Sequence, residues 1–125
     1  MKIDVFSDNL DIVSDDPITV RATICLIPEE HGGRHGPFTK GYRPNHNFGG
    51  PENSLFYIGE VIVGDNEWVY PGDTKDVSVK FLNARGLKEM LVVGRKWRIQ
   101  EGHRLVAHAT VLGNQEAPIG SPGTN

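Results

Sequence analysis

The chain is short of most features that mark a secreted, membrane-embedded or nucleotide-hydrolysing protein. It has one cysteine, Cys25, in 125 residues, so no internal disulfide can form, and no residue spacing suits a zinc site. Nowhere do eighteen apolar residues follow one another, and Met1 to Leu10 lacks the basic start and long apolar run of a secretory signal. A membrane-spanning helix is therefore excluded, and we expect a cytoplasmic protein with no membrane partner. A Gly-x-x-x-x-Gly-Lys-Ser/Thr loop is also missing. Without that phosphate cradle, GTP is expected neither to bind nor to be hydrolysed, and no cofactor is implied.

Net charge is small as well. The net value of −3 is dominated by the first twenty residues, where Asp4, Asp8, Asp11, Asp15 and Asp16 face only Lys2. The remainder is close to neutral, so bulk charge does not draw the chain to nucleic acid. Any such binding requires a local basic patch, and the placement of Arg and His decides the matter.

What is present is strand pattern. Val20, Ala22, Ile24 and Leu26 alternate with Thr19, Arg21, Thr23 and Cys25 over residues 18 to 27, which predicts a half-buried β-strand. Between Pro28 and Pro51 the repeated glycines and prolines predict an ordered loop, with at most a short strand around Phe48. Leu55 to Val63 is rich in aromatic and β-branched residues and is followed by a Gly64-Asp65-Asn66 turn. After Pro71-Gly72-Asp73, a one-sided strand turns Val77, Val79 and Phe81 inward. Leu87 to Val93 is the one place for a helical turn. Lys96 to Glu101 points Trp97 and Ile99 inward, Gly102-His103 reverses the chain, and Arg104 to Leu112 sets Leu105, Ala107, Ala109 and Val111 on the inner side of a tight hairpin. About six short strands without a long helix predict an all-β barrel or sandwich over residues 18–112. Residues 1–17 form an acidic extension, and residues 113–125 a Pro/Gly-containing tail.

Within that frame the run Gly32-Gly33-Arg34-His35-Gly36-Pro37-Phe38-Thr39-Lys40-Gly41-Tyr42-Arg43-Pro44 resembles the Gly-Gly-Arg-His-x-Pro-Phe…Gly-Tyr-Arg-Pro signature of the C-terminal, third domain of bacterial elongation factor Tu. Tyr70-Pro71-Gly72-Asp73, Trp97-Arg98-Ile99-Gln100-Glu101-Gly102 and Arg104-Leu105-Val106 are similar to further pieces of that domain, in its order. Asn45-His46-Asn47 replaces an aromatic-rich stretch of the family, and His103 replaces a glycine. The resemblance implies a six-stranded antiparallel β-barrel that belongs to the translation machinery and works by contact. Its partner is expected to be a tRNA or a translation-related protein that recognises the elongation factor, without catalysis. An alternative is an accessory or decoy protein that binds no RNA.

The residues expected to carry that contact are Arg34, His35, Lys40, Arg43, Glu101, Gly102 and Arg104. In a Gly/Pro-punctuated loop, backbone N–H groups and a guanidinium fork can converge on phosphate oxygens. By resemblance, Glu101 and Gly102 match a turn that meets an RNA minor groove, a wide and shallow surface read by shape. Arg34 and Arg43 have an equally good structural reading, pairing with Glu29, Glu30 or loop carbonyls. His31 and His35 lie four apart, but Gly32 and Gly33 between them argue against a helical metal site. Cys25 reads as a buried structural thiol, with no fixed relation to His108. Trp68 and Trp97 read as core or barrel-rim residues, with exposure marking an interface.

Overall fold

A computed structural model describes residues 11–114. Strand β1 (Ile12–Leu26) leads through a 3-10 turn at Glu29–His31 and a long loop to β2 (Asn45–Asn47). Then come β3 (Tyr57–Ile62), β4 (Thr74–Ala84), a single helical turn α1 (Leu87–Met90), β5 (Lys96–Glu101) and β6 (Arg104–Asn114). The strands close in the order β1-β4-β3-β2-β5-β6, every neighbouring pair antiparallel. The expected six-stranded barrel is therefore the fold. Among the described residues, no helix is long and apolar enough to cross a membrane.

Alternation builds the interior. Val20, Ala22, Ile24 and Leu26 of β1, Val77, Val79 and Phe81 of β4, and Trp97 and Ile99 of β5 are all buried and belong to one cluster. Successive side chains of a strand point to opposite faces, so each of these runs commits one face to the core. β1 begins at Ile12, ahead of the expected Ile18. Its first residues pair irregularly, with Ser14 opposite Asn83 and Ile18 opposite Phe81. Asp15, Asp16 and Pro17 thus bulge past Leu82, and such a segment shows no alternation. β6 extends to Asn114. Residues 1–10 and 115–125 of the two expected terminal segments lie outside the described residues.

Three details depart from the sequence reading. In the β5–β6 hairpin, Ile99 pairs with Ala107 but Gln100 with Leu105. Val106 is therefore an extra residue, and Val106 and Ala107 are both buried while Leu105 is only half-buried. A β-bulge of this kind reverses the inward parity beyond it. Cys25 is exposed, because it occupies the outward register of β1; it faces His108 across β6, and its Sγ lies 3.1 Å from Thr74 Oγ1. The short strand expected near Phe48 is Asn45–Asn47, and two of its three residues, His46 and Asn47, are buried.

Burying polar β2 requires every donor and acceptor to be matched. Trp97 Nε1 donates to His46 Nδ1 at 3.0 Å, leaving His46 Nε2–H to donate to the Gly59 carbonyl at 3.0 Å. Position 59 must be glycine here: a Cβ would sit 2.9 Å from the Phe81 ring and 3.2 Å from His46 Nε2. Asn47 Nδ2 donates to the Gly50 carbonyl and to Gln100 Oε1, and its Oδ1 accepts from Gly49 N and Asn53 Nδ2. The weakest hydrophobic segment of the barrel is thus held by a satisfied polar network.

Candidate functional site

The loop between β1 and β2 is stitched to one end of the barrel. Gly33 lies so close to β1 that a Cβ there would collide with the Ile27 carbonyl oxygen, which brings Arg34 over the barrel end. Phe38 pairs with Val69 and Tyr42 with Val61 through backbone bridges. The Phe38 and Tyr42 rings stack at 4.1 Å, and the Arg34 guanidinium lies 5.0 Å from the Tyr42 ring centroid.

Glu101 is the point on which this arrangement converges. Its Oε2 accepts from Arg34 Nε at 2.8 Å and from the Tyr42 hydroxyl at 2.6 Å. Arg34 Nη1 also reaches the carbonyls of Gly36 (3.3 Å) and Pro37 (3.5 Å). Burial, followed by the hydrogen bond to Glu101 and its negative charge, pushes the Tyr42 hydroxyl far above the usual phenol range, so it remains a donor. Arg34 is only 22% exposed. The Arg34–Tyr42–Glu101 triad is a clamp fixing the long loop to the β5–β6 turn.

Above the clamp sits a rim. Arg104 Nη1 donates to the Gly33 carbonyl at 3.3 Å and approaches His35 Nε2 at 3.5 Å, while His35 Nδ1 meets Glu29 Oε2 at 3.1 Å. Gly102, His103 and Arg104 are exposed, and the His35 side chain is 78% exposed. Five expected residues, Arg34, His35, Glu101, Gly102 and Arg104, are therefore gathered at one end. Lys40 and Arg43 do not join these contacts: Lys40 pairs with Asp65 at 2.8 Å and Arg43 with Glu60 at 3.7 Å. Of the two readings open for the arginines, the structural one describes Arg34, although its carboxylate is Glu101 rather than Glu29 or Glu30.

Sequence reasoning does not single out Tyr42 as a site residue, although Tyr-Arg-Pro lies inside the matched motif. It also leaves Trp68 and Tyr70 unpaired. They flank buried Val69 and are 50% and 54% exposed, and the Phe38–Val69 bridge places them beside the loop. Period-two alternation around Val69 is the signal that puts both on one outward face. Trp97, by contrast, is core. Among the described residues no group of three or more His, Cys, Asp or Glu could hold a metal ion. Compared with known protein families, the chain matches none of their models.

Proposed function

We propose that this chain is a non-catalytic binding module of the elongation factor Tu C-terminal-domain type, acting in the cytoplasm on a tRNA. The observation that carries the reading is the division of labour at the barrel end. Arg34 and Tyr42 fix Glu101 from below, and the Glu101–Arg104 turn with His35 forms an exposed rim above, whose Arg104 has no carboxylate partner among the described residues. A rigid protrusion of this kind suits recognition of an RNA helix by shape and backbone, where flexible contacts lose affinity to ordering. The motif residues that resemble the family supply both layers.

The test is filter binding of tRNA across a salt series. Arg104→Glu should weaken binding and flatten the salt dependence by about 0.7 to 0.9 in log–log slope for each phosphate that the variant no longer neutralises. Wild-type protein that retains no tRNA at low salt would overturn the reading. A second reading, a protein-interaction accessory without RNA binding, is favoured by the exposed Trp68–Tyr70 pair, since aromatic side chains are typical interface anchors. Under that reading Trp68→Ala with Tyr70→Ala abolishes capture of a stoichiometric protein partner, and Arg104→Glu leaves it intact.

A further inference from the structure

The β5–β6 hairpin that carries the rim also holds more basic than acidic residues. Residues 95–114 contain Arg95, Lys96, Arg98 and Arg104 against one carboxylate, Glu101, and that carboxylate is held by Arg34 and Tyr42. Elsewhere Arg34, Lys40, Arg43, Lys75 and Arg85 each hold an acidic partner. Among the described residues, Lys96 and Arg98 form no ion pair with any carboxylate.

Their placement is fixed by the fold. Trp97 and Ile99 are buried, so Lys96 and Arg98 lie on the outer face of β5, about 6.6 Å apart along the strand. His108 stands directly opposite Arg98 on β6, and Lys96 opposite Thr110, whose Oγ1 accepts from Lys96 Nζ at 3.4 Å. Arg98 Nε donates to Gln100 Oε1 at 3.2 Å, and that oxygen also accepts from Asn47 Nδ2 at 2.8 Å. Gln100 and Asn47 are 3% and 1% exposed. A buried amide pair therefore orients the guanidinium and leaves its two Nη groups without a protein acceptor among the described residues. Lys96, Arg98 and His108 border a shallow groove of about 180 Å³ with Asn47 and Gly50.

We infer that Lys96, Arg98 and His108 form a phosphate-binding site, and that the backbone of the bound RNA runs from the Glu101–Arg104 rim along the hairpin to Lys96. This deepens, and rests on, the RNA reading above. An oriented guanidinium presents paired N–H donors matched to phosphate oxygens, and an ammonium two positions along adds a point charge. The distance from Glu101 to Lys96, about 17 Å at strand rise, is long enough for several successive phosphates.

Two measurements on the full chain test it. In an NMR titration with inorganic tripolyphosphate, amide shifts should map to residues 47–50, 96–98 and 108. Arg98→Ala should weaken that binding by about tenfold or more, the scale of a missing charge-assisted hydrogen bond, whereas Lys80→Ala on another face leaves it unchanged. In the tRNA salt series, Lys96→Ala with Arg98→Ala should flatten the slope by about 1.4 to 1.8, the value for two phosphates. If tRNA binds wild type and this variant with the same slope, the site is wrong and the RNA reading stands. If tripolyphosphate binds the groove but tRNA does not bind the protein, the RNA reading and the backbone path fail together. Unchanged amide positions across the spectrum of the variant confirm that it is folded in both assays.

Discussion

Acidification should loosen this barrel through a single buried imidazole. His46 is fully buried, and burial, opposed in part by its bond to the Gly59 carbonyl, pulls it from 6.5 down to about 4. The unfolded chain therefore takes up a proton near pH 6.5 that the folded chain refuses until about pH 4. Stability is complete above pH 6.5 and falls through the window below it, approaching about 1.4 kcal/mol for each pH unit. Over the whole window the loss is about 3 kcal/mol, and down to pH 5 about 2 kcal/mol. That is a large part of the 5–15 kcal/mol or so that holds a typical domain together. Urea unfolding at pH 7.5, 6.5, 5.8 and 5.0 would measure it. The fluorescence of Trp97 serves as reporter because its indole N–H is bonded to His46. The range stops above the region where the carboxylates protonate. His46→Gln removes the titrating group, so the variant, though less stable at pH 7.5, should lose much less stability between pH 6.5 and 5.0 than wild type. Equal slopes for the two proteins would refute the reasoning.

Loss of the clamp should cost stability before it costs recognition: Tyr42→Phe, which deletes one hydroxyl bond to a carboxylate, is expected to lower unfolding free energy by about 1 kcal/mol, and Arg34→Ala by about 1–2 kcal/mol because Glu101 is partly solvated. Urea midpoints read both. Gly59→Ala forces a methyl against Phe81 and His46 and should cost about 1–3 kcal/mol, seen as a lowered Tm. Cys25 should react fully with a thiol reagent in the native state, at a rate close to that in urea; a thiol that reacts only after unfolding would contradict its outward register.

Much of the barrel is legible because alternation is a local property. The inward sets of β1, β4 and β5 can be read from the sequence without knowledge of any partner. What escapes are residues whose environment is made by distant segments. β2 has no hydrophobic signal, and His46 and Asn47 can be buried only because Trp97, Gly59, Gly50 and Gln100 supply matching groups. The bulge after Ile99 leaves no composition mark, so alternation alone assigns Leu105 and Val106 to the wrong faces. At the candidate site, the motif's residues Arg34, His35, Glu101, Gly102 and Arg104 gather at one barrel end, but the sequence does not say which cations are neutralised. Arg34 and Glu101 are 67 positions apart. Conversely, the outward placement of Lys96, Arg98 and His108 follows from the same alternation that places Trp97 and Ile99 inside.

Closure of the sheet has a further consequence for how such a protein can change. Among the described residues every strand is flanked on both sides, so they leave no long row of backbone amides for a second chain to extend, the commonest route to uncontrolled polymerisation. Association then depends on outward side chains alone. Those positions can be rewritten one by one, for a different ligand or for none, while the interior that specifies the architecture is left untouched.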